Sequence, residues 1–231
     1  MKSKKPRVIE IIKILKKINR EIFSSLLEQY PSLVKREVIG SCQTLLDLGC
    51  GTKSPIEKFS DKLYYSVGID IFEPSLLKSN KLKIYTEYRK MNVLEIGNVY
   101  KENSFDCVLA SELIEHLTKD DGLRLIAMME KIAKKKAIIF TPNGYLPQDK
   151  YDGNEFQIHR SGWYPSEMED MGYRVIGIRG WKLLRGKHGR IKWWPREFWR
   201  RVSLLTQPVT EKFSKIAFQI LCVKDITESE G

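Results

Sequence analysis

The sequence predicts an α/β fold in which a mostly parallel β-sheet is covered by helices on both faces. From residue 43 onward, short apolar segments that end in Gly, Asp or Asn alternate with segments that suit helices. The length of 231 residues and the hydrophobic fraction of 42% fit one domain with a substantial core. No uncharged stretch of the sequence reaches the roughly 18 apolar residues that a membrane-spanning helix requires.

The elements follow this alternation in order. Strands are predicted at residues 44–48, 65–70, 88–92, 106–110, 137–141, 173–179 and 216–223. Helices are predicted at residues 55–59, 74–79, 119–134 and 165–171. At residues 8–27 apolar side chains recur every three or four positions, which predicts an amphipathic helix that Pro31 ends. We therefore expect a basic N-terminal helical segment at residues 1–40 and a main domain at residues 41–231, with an insertion at about residues 180–212.

The net charge of +11 is concentrated in two segments. Residues 2–20 and residues 182–201 each hold eight Lys or Arg and one acid, so the remaining residues sum to −3. Localised positive charge favours an anionic partner, either a phospholipid surface or nucleic acid. The alternative is that both segments are solvated helix faces. The four cysteines have no CxxC spacing, which indicates neither a zinc knuckle nor a disulfide framework, and a cytoplasmic protein is expected.

A tight Gly-x-Gly turn directly follows the first predicted strand, in the sequence TLLDLGCG at residues 44–51. Gly49 and Gly51 allow the backbone to turn sharply and to approach a ligand without a Cβ in the way. Asp47 precedes the turn, where its carboxylate can organise the turn and face an ammonium group. Asp70 ends the second strand 19 residues after Gly51, and a carboxylate at that place suits the two hydroxyls of a ribose.

The third strand ends at Asn92, whose side-chain oxygen could accept from an adenine amino group, while the N–H of Val93 could serve the neighbouring ring nitrogen. A dinucleotide site is the competing interpretation, but it needs a third glycine at position 54. Position 54 is Ser54, followed by Pro55, and this pair suits a helix start better than a diphosphate cradle. The pattern therefore favours S-adenosylmethionine over NAD.

At these residues the sequence resembles the class I methyltransferases, in the ubiquinone-type or small-molecule-type branch. Residues 46–51 are similar to their glycine-rich motif, residues 68–70 to their ribose-binding acid, and residues 105–111 to the strand that closes the far side of the cofactor pocket. The resemblance implies a Rossmann-like, seven-stranded, mostly parallel sheet whose last strand is antiparallel. It also implies S-adenosyl-L-methionine as the cofactor. The expected cofactor-binding residues are Asp47, Gly49, Cys50, Gly51, Asp70, Ile71, Asn92, Val93 and Ser111.

Two of the three histidines lie beyond the fourth and fifth strands and are the candidate catalytic residues, His116 and His159. A histidine that is neutral near pH 7 is a natural general base for an O–H or N–H acceptor. The alternative for His116 is a structural hydrogen bond at the start of a helix.

A second resemblance concerns the small-RNA 3′-terminal 2′-O-methyltransferases. A Glu-x-x-Glu-His motif at residues 112–116 and a His-x3-Trp-x3-Glu motif at residues 159–167 carry it. It implies a divalent ion held by Glu112, Glu115, His116 and His159, a donor set that suits magnesium-like to manganese-like ions. Because Glu-x-x-Glu-His also occurs in relatives that use no metal, the sequence expectation is that no metal is essential.

Residues 193–206 combine three of the five tryptophans with arginines and an apolar stripe. The stripe consists of Trp194, Phe198, Val202 and Leu205 at helical spacing. An aromatic stripe beside basic residues describes an interfacial helix at an anionic membrane. The alternatives are a lid that packs this stripe over the acceptor pocket, a dimer contact, and stacking on RNA.

The sequence thus predicts methyl transfer from S-adenosylmethionine to an oxygen or nitrogen atom of a small, glycan or lipid-linked acceptor. The enzyme is expected in the cytoplasm, peripherally at the membrane if residues 182–201 bind anionic lipid. An RNA methyltransferase of the metal-assisted 2′-O type and a non-catalytic S-adenosylmethionine-binding module are the alternatives. The acceptor, the attacked atom and the oligomeric state stay open.

Overall fold

The computed structural model describes residues 29–150 and 153–226, and seven β-strands lie within them. In chain order they are β1 Thr44–Leu48, β2 Tyr65–Asp70, β3 Glu87–Lys90, β4 Phe105–Ser111, β5 Ala133–Pro142, β6 Arg174–Trp181 and β7 Ala217–Asp225. The predicted bounds of β1 and β2 are confirmed, and those of the other strands differ by one to four residues. The largest difference is at β5, whose lysine-rich start reads as the end of a helix but pairs with β4 instead.

The strand order in the sheet is β3-β2-β1-β4-β5-β7-β6. Strands β1 to β5 are parallel to one another, whereas β7 is antiparallel to both β5 and β6. The predicted seven-stranded sheet with an antiparallel last strand is thereby confirmed. The order reverses between β1 and β4, which creates a crevice beyond the carboxyl ends of these two strands, where ligands bind in open α/β sheets.

Both faces of the sheet are covered. Leu46 and Leu48 belong to one hydrophobic cluster and Leu45 to the other, because successive side chains of β1 point to opposite faces. Such burial on both sides is the reason why the central strands read as continuous apolar runs. Asp47 is the exception in β1, since it is fully buried and polar at the carboxyl end of the strand.

The helices are α1 Gln29–Val38, α2 Glu73–Lys81, α3 Ile96–Val99, α4 Lys119–Ile132, α5 Pro165–Asp170, α6 Arg196–Leu205 and α7 Gln207–Lys212. Helices α2, α4 and α5 confirm the predictions at residues 74–79, 119–134 and 165–171, with ends that differ by no more than two residues. The predicted helix at residues 55–59 is a 3-10 turn, Pro55–Lys58. None of the described helices is long and apolar enough to cross a membrane.

The predicted helix at residues 8–27 lies outside the described residues. Helix α1 lies within the segment at residues 1–40 that was expected to be helical, but its own bounds were not predicted. The expectation that Pro31 ends a helix is wrong for this segment, because Pro31 is the third residue of α1. A proline costs nothing there, since the first N–H groups of a helix have no partner within it. Tyr30, Leu33 and Val34 of α1 are buried against the sheet, so this helix is part of the core.

The insertion before β7 is largely helical. It contains the 3-10 turns Lys182–Leu184 and Lys187–Gly189, followed by α6 and α7. Ser203 and Leu204 are the buried residues of α6, whereas Trp194 is 86% exposed, Phe198 56% and Leu205 69%. Within the described residues no part of the domain covers these three side chains, which contradicts the alternative that the aromatic stripe packs on the domain as a lid.

Candidate active site

A cavity of about 610 Å³ opens beyond the carboxyl ends of β1 and β4. Its lining comes from the glycine turn after β1, the segment that follows β4, the loop that follows β5, the α2 segment, β7, and four residues of β6 and the insertion: Arg179, Arg185, His188 and Gly189. The sequence placed the site at the glycine turn and beyond strands β4 and β5. The residues of β6 and the insertion were not expected there, because the sequence assigned the basic insertion to a surface.

The glycine turn has the backbone conformation that its sequence predicts. Gly49 and Gly51 have φ angles of +65° and +57°, which residues with a side chain rarely adopt. A Cβ on Gly49 would also lie 2.7 Å from the side chain of Leu113. The N–H of Gly51 donates to Asp70 over 2.9 Å, and the other carboxylate oxygen of Asp70 accepts from Phe72 over 2.8 Å. Asp70 thus holds the turn and the start of α2 together.

Asp47 is a buried carboxylate that lines the cavity. One of its oxygens accepts hydrogen bonds from Ser54 and Tyr85. The other oxygen is buried and has no hydrogen-bond partner within the described residues. Burial raises the pKa of Asp47 to about 6. An unsatisfied carboxylate oxygen at a cavity wall fits a ligand with an ammonium group, such as the amino-acid part of S-adenosylmethionine.

The residues predicted to bind adenine and ribose reach the same edge of the sheet. The side-chain oxygen of Asn92 accepts from the N–H of Leu94 over 3.0 Å and caps a helical turn, and Val93 is buried in the core. Neither these two nor Asp70 and Ile71 are among the residues that line the cavity. Their contacts with a cofactor stay predictions. Phe72, Ser75 and Lys78 of the α2 segment line the cavity beside the glycine turn, and sequence reasoning missed them.

Ser111 ends β4 and lines the cavity, where its hydroxyl accepts from Tyr30 over 2.6 Å. The Tyr30 ring stacks on Phe140 with 3.7 Å between the ring centroids. Helix α1 therefore covers this side of the site. Sequence reasoning missed Tyr30 because it placed no helix there, although the apolar positions of residues 30, 33, 34 and 38 have helical spacing.

A cluster of three potential metal ligands consists of Glu115, His116 and His159, with one ligand atom of each within 4.8 Å of the others. Glu115 and His116 follow β4 in the 3-10 turn Ile114–His116. His159 comes from the loop after β5, which is attached to this turn because the N–H groups of Arg160 and Ser161 donate to the backbone oxygen of Glu115. We call these three residues the Glu-His-His cluster.

The hydrogen bonds of both histidines determine which ring nitrogen is available. Nδ1 of His116 lies 3.3 Å from the backbone oxygen of Ile158, and Nδ1 of His159 lies 2.6 Å from that of Leu146. Because a carbonyl oxygen only accepts, each Nδ1 carries the proton and each Nε2 keeps its lone pair. A backbone carbonyl on the far nitrogen is also the usual arrangement for a histidine that binds a metal.

The ionisation of the cluster follows from its burial. Burial, assisted by the nearby His159, lowers the pKa of His116 to about 4, and burial also lowers the pKa of His159. Both rings are therefore neutral at pH 7. Burial raises the pKa of Glu115 to about 8, and its carboxylate accepts from Thr141 over 3.0 Å. Two neutral imidazoles and one carboxyl group form a chemically suitable donor set for a divalent ion.

Glu112 and Trp163, which the sequence placed near these residues, are not members of the cluster, although the charge of Glu112 acts on all three of its residues. Glu112 is half exposed and accepts from Gln219 over 2.7 Å, with the Arg179 guanidinium 3.5 Å away. It lines the cavity but is not part of the Glu-His-His cluster. Trp163 is fully buried and donates to Ser161 over 3.0 Å, so it packs the core beneath the site.

Comparison with known proteins agrees with this geometry. Residues 46–141 match a family described as a methyltransferase domain. A curated small RNA 2′-O-methyltransferase of Tetrahymena thermophila is 26% identical over 178 residues. The match covers 61% of this chain and 41% of that protein, so the chain spans less than half the length of this relative.

Two solved structures show the same fold. A SAM-dependent methyltransferase from Archaeoglobus fulgidus has a TM-score of 0.55 and 19% identity, covering 86% of this chain and 94% of that chain. The small RNA methyltransferase HEN1 has a TM-score of 0.56 and 17% identity, covering 90% of this chain and 26% of that chain. Residues 46–141 thus match a methyltransferase domain, and the sheet order and the glycine turn of this chain agree with that match.

Proposed function

We propose that this enzyme methylates the 2′-hydroxyl of the terminal ribose of an RNA. The observation that carries the proposal is the Glu-His-His cluster on the wall of the cavity that the glycine turn also lines. The similarity to a small RNA 2′-O-methyltransferase supports the same acceptor. The cluster therefore favours RNA over the small, glycan or lipid-linked acceptors that the sequence alone placed first.

The cofactor supplies an electrophilic methyl group, and the residues of the chain hold it and the acceptor in line. Asp47 faces the ammonium end, Asp70 keeps the turn in its cofactor-binding conformation, and Ser111 closes the pocket at the end of β4. All three residues were predicted from the sequence to bind the cofactor, and these contacts suggest how each would do so.

His116, His159 and Glu115 are proposed to hold a divalent ion through two Nε2 atoms and a carboxylate. Bound there, the ion would bind the vicinal hydroxyls of a terminal ribose and lower the pKa of the attacking hydroxyl. The sequence favoured the two histidines as general bases without a metal. Their depressed pKa values make them weak proton acceptors near neutral pH but leave their lone pairs available for coordination.

The acceptor can be identified with radiolabelled cofactor and four short RNAs that differ only at the 3′ end. We expect transfer to an RNA that ends in a ribose with both hydroxyls, and little transfer to RNAs that end in 2′-deoxyribose, 3′-deoxyribose or a 3′-phosphate. Membrane and soluble extract fractions are assayed in parallel. Label that appears in lipid or in small molecules, with none in RNA, would replace the RNA proposal by the acceptor class first expected.

Asp47 makes cofactor binding dependent on pH. Burial raises the pKa of this carboxyl to about 6, and only the ionised form attracts an ammonium group. Below that pKa the affinity should fall by about tenfold per pH unit, and above pH 7 it should level off. Calorimetric titration of S-adenosylhomocysteine between pH 5 and 8 measures this. Asp47→Asn should remove the pH dependence, whereas Asp61→Asn, which changes an exposed carboxylate, should retain it. If affinity depended on pH in the same way in wild type and both variants, Asp47 would not be the group that binds the ammonium.

We also propose that the exposed aromatic stripe of the insertion binds an anionic membrane. Trp194, Phe198 and Leu205 are exposed next to Arg196 and Arg200. Apolar side chains that no part of the described domain covers are costly in water, and aromatic rings flanked by arginines suit the headgroup region of a bilayer. Residues 182–201 supply the positive charge, which anionic lipid attracts by about 1 kcal/mol per basic residue.

Vesicle co-sedimentation tests this surface. Wild type should bind phosphatidylserine-containing vesicles more strongly than neutral ones. Trp194→Ala and Phe198→Ala should each weaken binding by on the order of tenfold, since burying an aromatic side chain contributes about 1.5–3 kcal/mol. Tyr64→Ala removes an equally exposed ring from another surface and serves as the control. Strong, salt-dependent binding to RNA with no response to lipid would assign the surface to nucleic acid instead.

A further inference from the structure

We propose that Arg179 and Arg185 form a subsite for a phosphodiester of the acceptor, on the wall of the cavity that β6 and the insertion build. The inference rests on the proposed function and assigns a ligand to a part of the cavity that neither the cofactor residues nor the Glu-His-His cluster occupies. Three features carry it: the bent backbone at Arg179, the incomplete hydrogen bonding of Arg185, and the absence of a carboxylate paired with Arg185.

The backbone turns Arg179 into the cavity. The pairing of β6 with β7 is interrupted between Ile178 and Trp181, and a bulge at such a point redirects a side chain. Arg179 has a φ of +63°, which costs a residue with a side chain on the order of 1 kcal/mol. Gly180 has a φ of +72° and packs so closely on α6 that a Cβ would lie 1.8 Å from the backbone oxygen of Ser203. The contact with α6 thus maintains the strained conformation that presents Arg179.

Arg185 is held as a largely buried cation. Its guanidinium lies 4.4 Å from the centroid of the Phe218 ring, and two of its nitrogens donate to the backbone oxygens of Gly189 and Arg179 over 3.0 and 3.2 Å. Its Nε is buried without a hydrogen-bond partner. Burial and the charge of Arg179 lower the pKa of Arg185 to about 10, so the group is still charged at neutral pH.

The charge of Arg185 is not compensated inside the described structure. Among residues 29–150 and 153–226, no ion pair connects Arg185 to a carboxylate. Arg179, in contrast, forms an ion pair with Glu112 at 3.5 Å, and both side chains are about half exposed. A partly buried cation without a counter-charge gains stability when an anion is supplied, since burial has removed part of its hydration. The wall is therefore preorganised for an anionic ligand.

The chemistry of the two side chains favours phosphate. The planar guanidinium group donates in a fork that matches two phosphate oxygens, and two arginines side by side can contact the same group. Arg179 and Arg185 line the same cavity as the Glu-His-His cluster. In an RNA whose terminal ribose lies at the cluster, the last phosphodiester is bonded directly to the 5′ oxygen of that ribose. This phosphate is therefore the group that we expect Arg179 and Arg185 to bind.

Two RNAs with the same sequence test the subsite, one with an ordinary last phosphodiester and one with an uncharged methylphosphonate at that linkage. For wild type we expect KM to be on the order of ten- to a hundredfold higher for the methylphosphonate, as for the loss of hydrogen bonds to a charged group. Arg179→Gln and Arg185→Gln should raise KM for the ordinary RNA by a similar factor and no longer distinguish the two RNAs. Arg190→Gln, an exposed charge on the same loop that does not line the cavity, should behave as wild type.

The controls separate this proposal from its alternatives. Arg185→Lys keeps the positive charge but removes the forked guanidinium group, so it tests which of the two the phosphate needs. If the Arg185 variants fail to fold, Arg179→Gln is sufficient for the test, because the Arg179 side chain is half exposed. Equal KM values of wild type for both RNAs overturn the subsite. So does a tenfold loss of S-adenosylhomocysteine affinity in Arg185→Gln with unchanged KM for RNA, which would assign the wall to the cofactor carboxylate.

If wild type methylates no RNA, the proposed function fails and the subsite is judged by binding alone. Inorganic phosphate is then titrated calorimetrically into the enzyme saturated with S-adenosylhomocysteine. Binding that is lost in Arg179→Gln and Arg185→Gln but kept in Arg190→Gln supports an anion subsite. Equal binding, or no binding, in all four proteins rejects it.

Discussion

Removal of divalent ions should abolish methyl transfer to RNA while leaving cofactor binding intact. Because a metal contributes several kcal/mol to the transition state and each 1.36 kcal/mol is tenfold in rate, chelation should lower kcat by on the order of a thousandfold. Added Mn²⁺ or Mg²⁺ should restore it. Binding of S-adenosylhomocysteine, measured by calorimetry on the same chelated sample, should change little, since the glycine turn and Asp70 are not part of the Glu-His-His cluster.

Substitutions in the cluster should have the same effect as chelation. His116→Ala and His159→Ala each remove one ligand atom, and both should lose Mn²⁺ binding in an electron paramagnetic resonance titration. His188→Ala is the control for Mn²⁺ binding, because His188 lines another wall of the cavity and is not a member of the cluster. Full activity after chelation, combined with loss of activity in His116→Ala, would instead support the sequence expectation that the histidines act without a metal.

Asp70→Ala should weaken the binding of S-adenosylmethionine and its demethylated product by about 1.5–3 kcal/mol, or roughly ten- to a hundredfold or more. The carboxylate accepts from the N–H groups of Gly51 and Phe72, so its removal loosens the turn as well as the expected ribose contact. Isothermal titration calorimetry measures the change. NAD should not bind wild type, because Ser54 replaces the third glycine and caps the turn that follows.

The control for Asp70→Ala is Asp61→Ala, which removes an exposed carboxylate from the 3-10 turn Ser60–Lys62. It should leave cofactor affinity and thermal unfolding unchanged. If Asp70→Ala matched it in cofactor affinity, the acid would not bind the ribose. Tight NAD binding without any binding of S-adenosylhomocysteine would reject the cofactor itself.

The parts of the protein that depend on local sequence could be predicted closely. Strands β1 and β2 coincide with their predictions because each is a buried apolar run that ends directly in a turn or an acid. The glycine turn is local for the same reason, since the positive φ angles at Gly49 and Gly51 are a property of those residues. The β-α alternation, together with the resemblance at residues 46–51, was sufficient to predict the seven-stranded sheet.

The sequence by itself thus determined the glycine turn after β1 and the acid at the end of β2, because each belongs to one strand and the turn that follows it. Only the tertiary structure decided which residues form the Glu-His-His cluster and the rest of the cavity wall. His159 lies more than 40 residues from Glu115 and meets it through backbone hydrogen bonds that no local pattern encodes, and Arg185 enters the cavity from a segment whose charge suggested a surface. The stripe of α6 faces outward for a similar reason: helical periodicity shows that one side is apolar, but only packing decides whether another part of the chain covers it.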